Sequence, residues 1–119
     1  IKKDMHRDLA MISVESRFSS SLNLSRGRNF LKKGEPVFAL TCLDEKRKVL
    51  SGSVDGPVKS EKNILLWQVD METPKGSSGS PVFDRDGRMV AVVKGRYRGN
   101  QSVGFIIPLE TVVKFLTEE

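Results

Sequence analysis

From residue 35 onward the chain falls into six short apolar runs, near 37–43, 49–58, 64–69, 80–83, 89–94 and 103–107. Runs of this length, rich in Val, Ile, Leu and Phe and bounded by Gly, Pro and Asp, read as strands rather than helices. Asp86-Gly87, between Val82-Phe83 and Met89-Val90, marks a tight hairpin. Six antiparallel strands in so short a chain leave two open edges unless the sheet closes on itself, and closure into a barrel removes both. Pro108 then opens a terminal helix over 109–116, where Val112, Val113, Phe115 and Leu116 are available for burial. The expected architecture is all-β, a six-stranded antiparallel barrel carrying a C-terminal helix.

Upstream the rhythm is different. Leu9-Ala10-Met11-Ile12-Ser13-Val14 reads as a short, largely buried strand after a charged start. Between Glu15 and Gly34 the pattern is lost among Ser, Asn and Gly, with scattered Phe18, Leu22, Leu24, Phe30 and Leu31. At about twenty residues this stretch exceeds the median loop and is expected to join two structural halves. The chain therefore divides into 1–14, the end of one half; 15–34, a linker; and 35–119, a barrel with its helix.

With 119 residues, 38% of them hydrophobic, the chain can bury one core and not two. The net charge of +5 comes from clusters such as Lys32-Lys33 and Lys46-Arg47-Lys48. Acidic residues interrupt these clusters and no aromatic ladder accompanies them, so they read as solvated loop charge, and nucleic acid is not the expected partner. No apolar run approaches the ~20 residues of a membrane-spanning helix. Cys42 is the single cysteine, which excludes an internal disulfide, and its apolar neighbours make it an expected small buried hydrophobe. Neither a metal-ligand spacing nor a phosphate-binding Gly loop occurs, and no cofactor is expected.

One segment carries chemistry. Residues 76–81 read Gly-Ser-Ser-Gly-Ser-Pro between two apolar runs. In a linker such a run signals only flexibility; between strands it makes a tight loop from which Ser78 projects its hydroxyl. Residues 69–92, running through Asp70, Pro74, Gly76-Ser77-Ser78-Gly79-Ser80-Pro81 and the Asp86-Gly87 turn, resemble the active-site segment of trypsin-like serine proteases of the HtrA (Deg) type. Val103-Gly104-Phe105-Ile106-Ile107-Pro108 is similar to the run before that family's terminal helix, Asp8-Leu9-Ala10-Met11-Ile12-Ser13-Val14 to the strand that begins with its catalytic Asp, and Gly34-Glu35-Pro36-Val37 to the opening of its second barrel.

The resemblance implies a chymotrypsin-type barrel, preceded by the last strand of a first barrel, and a serine endopeptidase acting on polypeptide substrates. It makes Ser78 the nucleophile and Asp8 the carboxylate that orients the general base. The amides of Gly76 and Ser78 would form the oxyanion hole. Lys94 and Gly95 would pair with substrate backbone. Glu72 falls where trypsin-like enzymes place the floor of the primary specificity pocket; it either favours Lys and Arg substrates or lies exposed to solvent.

The chain departs from the family at Ser77, where Asn or Asp is usual, and at Ser80, where Gly is usual. It also lacks a histidine in the expected place. His6, the only histidine, stands two residues before Asp8 on the same local segment and reads as a surface residue. Against the ~200 residues of a two-barrel body, the resemblance implies a His-bearing N-terminal half outside this chain. Without it the chain is expected to be almost inactive. The alternative is a pseudoprotease that keeps the barrel as a peptide- or protein-binding module.

Overall fold

A computed structural model describes residues 2–15, 24–60, 62–97 and 100–118, with the side chains of 96, 97, 100 and 101 left out of the description. A two-stranded hairpin, β1 (Lys2–Asp4) and β2 (Leu9–Met11), comes first. Six strands follow: β3 (Pro36–Leu43), β4 (Lys46–Lys59), β5 (Leu65–Asp70), β6 (Pro81–Phe83), β7 (Met89–Tyr97) and β8 (Asn100–Pro108). Helix α1 (Leu109–Thr117) ends the described chain. The six strands form a closed antiparallel barrel in the order β3-β4-β5-β8-β7-β6.

Closure follows from alternation and from two local irregularities. Along β3 the side chains of Val37, Ala39 and Thr41 enter the barrel while Leu40 and Cys42 face out. A bulge between Val54 and Gly56 bends β4, the longest strand, so that it serves β3 at one end and β5 at the other. At Gly52 a Cβ would lie 2.0 Å from the Asp70 carbonyl oxygen, so these two strands meet only because that position lacks a side chain. The barrel closes where Phe38 pairs with Phe83 and Ala39 with Val82. Its core is largely β-branched, with Val37, Val54, Val69, Val82, Val90, Val93 and Ile106 all nearly inaccessible.

Two expectations are corrected. Cys42 is exposed rather than buried, because the β3 register that sends Thr41 inward sends Cys42 outward, opposite Arg47. The run 9–14 is not largely buried: Leu9 is half-covered, but Ala10, Met11, Ile12 and Val14 are exposed. An apolar run is buried only where neighbours cover it, and among the described residues β2 has a single strand partner, β1. The second half of the expected linker packs along the barrel. Leu31 enters the core, the Arg28 amide donates to the Met89 carbonyl, and the Gly34 amide donates to Val54. Residues 16–23 lie outside the described residues.

Candidate active site

The loop before β6 is built by its own hydroxyls. The Ser77 amide and hydroxyl both donate to the Pro74 carbonyl, at 3.0 and 2.6 Å, closing a turn over 74–77. Ser80 donates to the hydroxyl of Thr41 on β3 at 2.9 Å, pinning the far side of the loop to the barrel wall. The Gly79 amide donates to Val93 and the Val93 amide to Ser80, stitching the loop to β7. Ser77 is buried as a result, and Ser78, next to it, is exposed. Gly76 sits at φ +96°, a conformation that side-chain-bearing residues rarely adopt. Among the described residues, neither its amide nor that of Ser78 is taken up by a hydrogen bond within the protein.

Asp8 occupies the turn that leads into β2, at φ 60°. Although remote from Ser78 in sequence, it lines the same cleft of about 510 Å³, together with Leu9, Lys94, Ile107 and Phe115. Lys94 joins the two. Its backbone carbonyl accepts the Ser78 hydroxyl at 2.9 Å, and its ammonium lies 3.1 Å from the Asp8 carboxylate. The Asp8 side chain is 63% exposed, so solvent screens that pair heavily.

Gly95 lies at a bulge in β7, and a Cβ there would stand 3.9 Å from the Ser78 hydroxyl oxygen. Past Val93, β7 pairs only with β8 among the described residues, so no strand covers its other edge at Lys94 and Gly95, where the Lys94 carbonyl accepts the Ser78 hydroxyl. Glu72 is exposed, flanked by the buried Met71 and Thr73. His6 is exposed in the β1–β2 turn, its amide donating to Asp4, and does not line the cleft.

Sequence reasoning missed the ammonium of Lys94 as the partner of Asp8. Nothing local marks a contact between residues so far apart. It missed Thr41 as an anchor for the serine loop for the same reason. It also missed the support behind β6, where buried Asp84 accepts the amides of Asp86 and Arg88 and faces Arg28, itself paired with Glu35.

The family model of the trypsin-like peptidase domain matches residues 1–92. A serine protease HtrA-like protein of Staphylococcus epidermidis is 30% identical over 135 residues, an alignment covering 99% of this chain and 23% of the relative. The chain thus spans less than a quarter of that relative's length. Among solved structures, the MamO protease domain of Magnetospirillum magneticum superimposes with a TM-score of 0.80 over 99% of this chain and 66% of its own, at 20% identity. The HtrA-type protease AlgW, solved with a decapeptide, superimposes with a TM-score of 0.64 over 71% of this chain and 28% of its own, at 17% identity. Both likenesses are to the chymotrypsin-type fold, the first over nearly the whole chain and the second over 71% of it.

Proposed function

Because this chain belongs to the trypsin-like peptidase family, we propose that it is the serine-bearing portion of an HtrA-like serine endopeptidase, hydrolysing peptide bonds once a histidine joins the cleft. Ser78 is the nucleophile. Its oxygen attacks the scissile carbonyl while the histidine takes the hydroxyl proton, and that proton later passes to the leaving amine. Asp8 holds the imidazole in the required tautomer. The developing oxyanion is met by the amides of Gly76 and Ser78, which the Ser77 turn leaves unspent. A substrate strand adds to the open edge of β7 at Lys94 and Gly95.

The observation that carries this reading is the convergence of Asp8 and Ser78, 70 residues apart in the chain, on one cleft. A His-bearing N-terminal half is the partner it requires, since His6 stands outside that cleft. The test is labelling of Ser78 by a fluorophosphonate in the assembly that supplies the histidine. Labelling that Ser78→Ala abolishes supports the reading; no labelling in that assembly overturns it.

A binding module is the second reading, and one observation favours it. Lys94 engages both candidate triad members, holding the Ser78 hydroxyl on a carbonyl and the Asp8 carboxylate on an ammonium. A groove in that state still takes an extended peptide along β7 without cleaving it. Peptide binding by a chain that never reacts with the fluorophosphonate separates this reading from the first.

A further inference from the structure

Asp8 stands between two anchors. On one side, Leu9 packs against the apolar cluster of Leu66, Ile107 and Val112, with Val92 and Phe105 beside it. On the other, the Arg7 guanidinium makes a two-point contact with the Glu118 carboxylate at 2.8 and 2.9 Å, immediately after α1. Arg7 itself is set by Asp4, whose carboxylate accepts the amides of His6 and Arg7 and lies 3.3 Å from the guanidinium. Lys2 adds a second tie. Its ammonium donates to the carbonyls of Phe115 and Glu118 and sits 4.7 Å above the Phe115 ring. Two cations thus meet the carbonyl end of α1, where the helix dipole favours positive charge. Lys62 holds the tip of the turn through the Met5 carbonyl at 3.0 Å.

The Lys94 ammonium also reaches the Asp8 carboxylate, through a pair that solvent screens heavily. The two strands of the hairpin are three residues each, and an isolated two-stranded hairpin is marginal in water. Asp8 holds a left-handed conformation, φ 60°, directly between Arg7 and Leu9, so the two anchors bracket it in the chain.

We propose that Arg7 and Glu118 form a clamp that positions the Asp8 carboxylate, so that the end of α1 sets the alignment of a group in the serine cleft. The inference rests on the reading of Asp8 as the orienting carboxylate. Arg7 and Glu118 are positioning residues, acting on the chemistry through Asp8 alone. A bidentate guanidinium–carboxylate contact suits the task because it fixes direction as well as distance.

The experiment compares wild type, Glu118→Ala and Glu118→Gln, which keeps one oxygen acceptor for the Arg7 guanidinium. Amide hydrogen exchange in this chain reads the clamp directly. Glu118→Ala is expected to lower protection of the amides at residues 6–10 by about a few-fold while the barrel strands keep theirs, and Glu118→Gln is expected to keep part of that protection. Unchanged protection in Glu118→Ala overturns the clamp. Fluorophosphonate labelling of Ser78 in the His-supplying assembly reads the consequence. Glu118→Ala is expected to slow labelling by about tenfold, since small misplacements of catalytic groups are costly, with a smaller loss in Glu118→Gln. Labelling that proceeds at the wild-type rate in Glu118→Ala overturns the link to Asp8 and leaves the protease reading standing. Labelling absent from wild type, with exchange still responding to Glu118, removes the protease reading and supports the clamp alone.

Discussion

The Ser78 hydroxyl donates a 2.9 Å hydrogen bond to the backbone carbonyl of Lys94, the residue whose ammonium also pairs with Asp8. A hydroxyl donating to a carbonyl is a resting hydroxyl, since a general base must first draw its proton away from that acceptor. Both candidate triad members are therefore engaged by one residue of β7, and on the proposed reading an imidazole joining the cleft competes with the Lys94 ammonium for Asp8.

Replacing Lys94 by Met keeps the carbonyl and removes the ammonium. The Lys94–Asp8 pair is largely solvated, so folding stability is expected to change by less than about 1 kcal/mol. Ser78 labelling in the His-supplying assembly is expected to rise a few-fold, because Asp8 is then free for the histidine. Labelling rates of the two proteins measure this, and a slower rate in Lys94→Met shows that the ammonium assists rather than competes.

Ser77 contributes its amide and its hydroxyl to the same carbonyl, that of Pro74. Ser77→Ala loses one of the two bonds from a buried position and is expected to cost about 1 kcal/mol. Chemical denaturation gives the stability change. Ser78 labelling should slow in parallel, because the turn that presents the amides of Gly76 and Ser78 is loosened.

Gly52→Ala places a Cβ against the backbone of Asp70, which cannot yield without moving β5. Overpacking of this kind costs about 1–3 kcal/mol and more where backbone is the obstacle. A urea melt is expected to show this variant among the least stable single substitutions in the barrel; wild-type stability would mean that β4 and β5 part at low cost.

Burial by itself raises the pKa of the Glu35 carboxyl, but the Arg28 guanidinium and the Lys32 amide both bond the carboxylate and hold it below its ordinary value. A group depressed on folding contributes stability that is present above its unfolded pKa, about 4.3 for Glu, and is lost as pH falls through the folded value. The stability gap between wild type and Glu35→Gln is expected to be widest near neutrality and to close in acid. Urea midpoints between pH 7 and pH 3 check this, and a gap that widens in acid would reverse the sign.

Glu72 is exposed, so any preference it confers for Lys or Arg substrates acts through screened charge. Such an interaction is worth up to about 1 kcal/mol, a few-fold in rate. Competing basic and aliphatic substrates against the active assembly, with Glu72→Gln beside wild type, measures the ratio; a change of hundreds-fold would mean that the carboxylate turns inward on substrate binding.

Much of the barrel was legible in the sequence. The runs near 37–43, 64–69, 80–83 and 103–107 correspond to β3, β5, β6 and β8, and the helix expected at 109–116 is α1 (Leu109–Thr117). Short apolar runs and turn residues encode these elements locally. The exposure of Cys42 was also within reach, since Val37, Ala39 and Thr41 alternate inward and Cys42 falls on the other face. What misled there was the apolar character of the run as a whole, read in place of its period.

The number of barrel strands and their succession along the chain, the terminal helix and the loop that carries Ser78 are written locally, because each depends on residues within a few positions of one another. Folding in three dimensions is what brings β3 onto β6, Leu31 into the barrel and Asp8 to Lys94 beside Ser78. It also brings the end of α1 to the hairpin bearing Asp8. These relationships join segments far apart in the chain, and their partners are selected by strand register and barrel closure, which no local pattern of residue types records.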